Sequence, residues 1–162
     1  MKPNGSIHRI AIALVCAALG ACAAHGGGAA TREYYRSPAA ATAALPFSEA
    51  VRAGDFLYAS GQVGNVPGKL ELAPGGIQAE ARQAMQNIDA ILKRHGSSLA
   101  DAVKCTVFLT DMKEWPAFNE VYREFFPEHF PARSALGANG LALGARVEVE
   151  CIAYAPARGQ SP

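Results

Sequence analysis

Between Arg146 and Ala153 the chain alternates with a period of two, and this is the feature that most restricts its fold. Val147, Val149, Cys151 and Ala153 share one parity, while Glu148 and Glu150 share the other. Such alternation reads as a half-buried β-strand with two carboxylates on one face. A core-forming strand carries two acids on one side only where that side meets water, another subunit or a ligand. Just upstream lies Phe130-Pro131-Ala132-Arg133-Ser134, which places Arg133 at the proline-bounded entry of another strand. If the two stretches converge, a guanidinium fork grips a small carboxylate while a nearby carboxylate positions or deprotonates a water. Hydrolysis of a small carboxylic acid derivative is the chemistry this pairing suits. A surface ion pair is the ordinary alternative for Arg133, and a cross-sheet pair for Glu148. By pattern alone Glu148 and Glu150 compete for the catalytic role.

The rest of the chain supplies an α+β frame. Ser48 to Arg52 and Phe56 to Ser60 read as strands split by a Gly54-Asp55 turn, and 64–76, with four glycines and two prolines, reads as a loop. From Ile77 to His95, the residues Ile77, Ala81, Ala84, Ile88, Ile91 and Leu92 recur at helical spacing, and Gly96 supplies a left-handed stop. Val103 to Leu109 is β-branched and aromatic, hence a strand. Asp111 followed by Glu114 resembles a capping box, and Pro116 suits a first helical turn. Trp115, Phe118, Val121, Tyr122 and Phe125 form the apolar stripe of this second helix, read as core packing. Pro127 and Pro131 end it. The order β-β-α-β-α-β-β predicts helices on one face of a mixed sheet.

The N-terminus has the marks of a targeting segment. Lys2 and Arg9 precede an apolar run, Ile10 to Ala18, that is too short to span a bilayer. Leu19-Gly20-Ala21-Cys22 looks like a bacterial lipobox, with residues 1–21 as signal peptide and Cys22 lipidated. An ordinary signal peptide or an uncleaved apolar tail are the alternatives. Acyl chains contribute roughly 0.8 kcal/mol per buried methylene, so several anchor a protein stably. Ala23 after the cysteine resembles lipoproteins sorted to the outer membrane, facing the periplasm. Residues 22–44, rich in Ala and Gly, read as a tether; 45–157 as the domain; 158–162 as a tail.

Composition excludes several classes. Of 15 Lys and Arg against 14 Asp and Glu, Lys2 and Arg9 fall in the leader, leaving 13 basic residues. A near-neutral domain has no basic stripe for nucleic acid. There is no P-loop, dinucleotide fingerprint, His-Glu-x-x-His, Gly-x-Ser-x-Gly or Cys-x-x-Cys motif, and His8, His25, His95 and His129 are scattered. Neither metal nor organic cofactor is expected. With Cys16 in the leader and Cys22 acylated, Cys105 and Cys151 remain, each in a strand. Buried free thiols are the default reading, and a disulfide between them in an oxidising compartment is the alternative.

Pro131-Ala132-Arg133-Ser134 and Val147-Glu148-Val149-Glu150-Cys151-Ile152-Ala153 resemble the C-terminal signature of the RidA (YjgF) family. The likeness extends through Ser60-Gly61-Gln62, Asn87-Ile88, Val103 to Leu109 and 118–126, and so covers about 44–155. This resemblance implies a chorismate-mutase-like fold assembled as a homotrimer with sites in clefts between subunits. It implies hydrolysis of 2-imino or enamino acids such as 2-iminopropanoate to 2-oxo acids and ammonia. Arg133 matches the family's substrate-binding arginine and Glu148 its catalytic carboxylate. Phe47, Ser60, Gly61, Asn119 and Ala135 match positions lining the cleft, with the Gly61 N–H and the Ala135 N–H as donors. Two positions depart from the pattern. Leu45-Pro46-Phe47-Ser48-Glu49-Ala50 stands where Gly-Pro-Tyr-Ser-Gln-Ala is usual, so Phe47 lacks a phenolic hydroxyl, and Ala135 replaces a cysteine found in several members. A different class is also open: a non-catalytic trimeric envelope module that binds small carboxylates or a partner protein.

Overall fold

A computed structural model describes residues 31–38 and 44–156. The leader with Cys22, most of the expected tether and the tail lie outside the described residues. Six strands form one sheet: β1 (Arg32–Tyr35), β2 (Ala50–Ala53), β3 (Phe56–Val63), β4 (Ala102–Leu109), β5 (Ala132–Gly137) and β6 (Val147–Tyr154). Two helices, α1 (Ile77–Arg94) and α2 (Trp115–Glu124), complete the α+β domain. The strand order is β1-β2-β3-β6-β4-β5, antiparallel throughout except for β4 and β5, which run parallel with α2 as their crossover. The expected mixed sheet with two helices on one face is therefore present.

The core lies between the sheet and the helices. Ile77, Ala81, Ala84, Ile88, Ile91 and Leu92 are all buried, as are Phe118, Val121 and Tyr122. They pack on Leu57, Cys105, Val107, Val149 and Cys151 from the inward parity of the strands. Gly96, at φ 84°, ends α1 as expected, with Ser97 N–H donating to the Leu92 carbonyl at 2.9 Å and Gly96 N–H to that of Lys93 at 3.3 Å.

Three expectations change. The segment 22–44 is not tether throughout, because Arg32–Tyr35 pairs with β2 as an edge strand. Its register is reinforced by the Tyr35 ring, stacked on His95 at 3.9 Å, while His95 Nε2 lies 2.8 Å from the buried Glu49 carboxylate. The capping box does not close either. Asp111 Oδ1 accepts from Lys113 N–H at 2.9 Å and caps a 3₁₀ turn, Met112–Glu114. Glu114 instead accepts from the Arg146 guanidinium at 2.6 Å, so a long-range charge partner outcompetes the local one. Finally, Cys105 and Cys151 are joined by a disulfide rather than left as thiols. They are directly opposed across β4 and β6, so the ladder itself brings the two Cβ atoms together.

Candidate active site

The predicted site residues fall into two groups, and strand parity decides which. In β6 the buried residues Val147, Val149, Cys151 and Ala153 face the helices, so Glu148 and Glu150 face the other way. Cys105 is opposite Cys151 on one side and opposite Arg133 on the other. Arg133 therefore points to the helix side. Glu148 is level with Phe108, which is level with Leu136, three residues along β5 from Arg133. Two strand spacings and three residues of rise each amount to roughly 10 Å. Within one chain Arg133 and Glu148 are thus remote and on opposite faces, which corrects the idea that their sequence neighbourhood makes them converge.

The first group surrounds Arg133. Its guanidinium carbon sits 4.6 Å from the Tyr122 ring centroid and 5.8 Å from that of Phe118. Among the described residues it has no ion pair and no hydrogen bond. Ala135 is half-buried two residues along the same strand and face. Asn119 is half-buried on α2, and its Oδ1 is buried without a partner; the Tyr122 hydroxyl is in the same condition. Burial pushes the Tyr122 phenol up to about 12, against the pull of the Arg133 charge, so it stays neutral. The apolar stripe of α2 reads in sequence as packing only; no sequence signal distinguishes Tyr122 as the surface beneath an arginine.

The second group surrounds Glu148. A Cβ built on Gly61 would collide with Glu148 Oε1 and come within 2.9 Å of its Cδ. Gly61 is needed here for close approach, since its φ is not in the left-handed region. The strand register shifts between Ala59 and Gln62, and this bulge brings Gly61 against the carboxylate. Ser60 donates from Oγ to the Ser48 carbonyl at 2.7 Å and so holds the loop bearing the exposed Phe47. The Glu148 carboxyl is raised above its ordinary range, first by burial and then by the charge of Glu150. A carboxylate so placed is a better proton acceptor than one in water. His129 is exposed and in neither group.

The chain matches the family model described as endoribonuclease L-PSP over residues 37–155. It belongs to that family, the RidA/YjgF family. Among curated relatives, the 2-iminobutanoate/2-iminopropanoate deaminase of Capra hircus is 45% identical over 118 residues, covering 72% of this chain and 86% of the relative. The human protein of the same name is 40% identical over 108 residues, covering 67% and 79%. RidA from an Antarctic Psychrobacter has a solved structure with a TM-score of 0.69 at 38% identity, covering 75% of this chain and 98% of that one. TdcF of E. coli, solved with bound serine, gives 0.63 at 36%, covering 67% and 87%. The RidA likeness thus extends over both residue groups.

Proposed function

We propose that the protein hydrolyses reactive 2-imino and enamino acids, such as 2-iminopropanoate, to 2-oxo acids and ammonia. The observation that carries this reading is the Arg133 guanidinium, held on aromatic rings and, among the described residues, without an ion pair or hydrogen bond, so that its donors can take a carboxylate. The relatives named as deaminases support it, as does a relative that binds serine, itself a small 2-substituted carboxylate. Arg133 takes the substrate carboxylate bidentately. Glu148 accepts a proton from water as its oxygen adds to the imine carbon. The resulting carbinolamine takes that proton on nitrogen, and as the C–N bond breaks the hydroxyl proton passes back to the Glu148 carboxylate, releasing ammonia and the 2-oxo acid. The iminium carbon is already electrophilic, so alignment and a base suffice. A formal charge of +1 gives no field suited to a polyanion.

Because the two groups occupy opposite faces, the site is composite. The Arg133 group of one copy, with Asn119 and Ala135, meets the Glu148 group of another, with Phe47, Ser60 and Gly61. A closed ring of three copies repeats this contact three times. Complementation tests it directly. Arg133→Ala and Glu148→Gln are each inactive alone in an assay that follows imine decay beside an amino-acid oxidase. Unfolded and refolded together at equal ratio, they form mixed trimers in which about a quarter of the sites carry both native groups. Persistent inactivity of well-assembled mixtures rejects the composite site; no acceleration by the native protein rejects the reaction. Binding of 2-oxo acids without turnover would instead favour a carboxylate-binding module, a reading motivated by the hydroxyl missing at Phe47.

The location proposed is the cell envelope. Residues 1–21 act as a lipoprotein signal and Cys22 carries the acyl chains, anchoring the domain at the outer membrane with its face to the periplasm. The Cys105–Cys151 disulfide supports an oxidising compartment.

A further inference from the structure

A cation inside a folded domain is ordinarily held by carboxylates or carbonyls, and among the described residues Arg133 has neither. Other arginines are anchored: Arg94 pairs with Glu49 at 3.0 Å, Arg146 with Glu114 at 2.6 Å and Arg82 with Glu124, while Arg52 donates to the Ala155 and His95 carbonyls. Arg133 lies instead over two aromatic rings on one face of α2, Tyr122 at 4.6 Å and Phe118 at 5.8 Å. Tyr122 is 3% exposed and packed between Phe118 and Phe126, with centroids at 5.5 and 4.8 Å and the rings tilted by 37° and 45°. Its plane is therefore fixed by the core.

We propose that Tyr122 is a positioning residue of the site: its ring is a shelf that orients the Arg133 guanidinium without neutralising it. This rests on Arg133 being the carboxylate anchor. A carboxylate in place of the ring would hold the guanidinium equally well but would occupy the donors and cancel the charge that the ligand needs. A π-face attracts the cation through its quadrupole and leaves the edge of the fork, where the N–H groups point, open. The phenol is neutral across the working pH range, so the attraction comes from the ring and not from a phenolate. Holding the fork in one plane lowers the ordering cost when a planar carboxylate arrives.

The test measures 2-oxobutanoate affinity and imine turnover in the purified native protein, Tyr122→Phe and Tyr122→Leu. Tyr122→Phe keeps the shelf, and its affinity stays within about threefold of native. Tyr122→Leu removes the π-face, and affinity falls roughly 5- to 30-fold, with KM raised by a similar factor and kcat changed far less. A correctly assembled Tyr122→Leu protein that binds as tightly as native overturns the shelf. So does a Tyr122→Phe protein as weak as the leucine variant, since the hydroxyl would then be responsible. Should Tyr122→Leu fail to assemble, fluorinated phenylalanines at position 122 replace it. Affinity then declines stepwise with fluorination, and a flat series overturns the proposal. Native protein that binds 2-oxobutanoate but leaves imine decay unchanged removes the deaminase reading while leaving the shelf intact.

Discussion

Gly61→Ala isolates the contact on which the Glu148 half of the site depends. The backbone at Gly61 is not left-handed, so alanine is conformationally permitted and its lower unfolded-state entropy is mildly favourable. The cost is local and steric. The new methyl group would lie 2.9 Å from Glu148 Cδ and 3.2 Å from Cγ, where ordinary contact begins near 3.4 Å. The carboxylate carbon must retreat by at least 3.4 − 2.9 = 0.5 Å, and Oε1 by roughly 1.5 Å. Since the obstructing atoms are the far end of a flexible side chain, the fold absorbs the change. A base displaced by about 1 Å costs on the order of 100-fold in rate, or about 2.7 kcal/mol of transition-state stabilisation. We expect imine turnover to fall by that factor while the urea midpoint moves little. Gly64→Ala is the matched control. There a Cβ would come within 2.8 Å of the Glu80 carbonyl carbon, which is helix backbone and cannot swing aside. That variant should lose stability and, where folded, keep its rate. Full turnover in assembled Gly61→Ala protein would refute the assignment of Glu148 as the base.

Three more predictions bear on charge, cross-linking and anchoring. Glu150→Gln removes the repulsion that helps hold Glu148 above its ordinary range, so the acidic limb of kcat/KM should move to lower pH; a limb that does not move excludes the coupling. The same raised carboxyl makes the fold relatively more stable below the ordinary carboxylate range, an advantage lost as pH rises through the raised value, and Glu148→Gln should flatten that dependence in urea titrations. Replacing both Cys105 and Cys151 by Ala opens a loop of 46 residues, a chain-entropy loss of up to about 4 kcal/mol; an unchanged urea midpoint would show that the ladder alone holds β4 to β6. Cys22→Ser should leave the folded domain intact and abolish membrane fractionation, and persistent membrane attachment would exclude acylation at that position.

How much of this is visible in the amino-acid order depends on whether the information is local. Helix α1 declares itself because its buried face recurs every three or four residues and Gly96 marks its end. Strand β6 declares itself by parity, and the Gly54-Asp55 turn joins β2 and β3 as expected. Strand β1 does not. Arg32-Glu33-Tyr34-Tyr35 is exposed over most of its length and shows no alternation; it is a strand because the β2 edge and the His95 ring receive it. Cys105 and Cys151 give no sign of their register, because pairing across 46 residues is set by the sheet.

The relation between Arg133 and Glu148 is the extreme case of non-local information. Each side chain's face follows from its own strand's parity, but their mutual placement depends on β6 inserting beside β4 and on β5 joining the far edge in parallel. Shifting β5 by one residue would bring Arg133 to the same face as Glu148, remove it from Tyr122 and Phe118, and place Ser134 in the core. The observed register does the opposite. It sends the cation to the helices, where aromatic rings orient it, and the carboxylate to the outer face beside Gly61, where burial raises its basicity. Among the described residues of one chain, Arg133 has no carboxylate partner and Glu148 has no ion pair. If the proposed chemistry uses both within a few ångströms, two copies supply them, and dissociation should abolish turnover even where each chain stays folded.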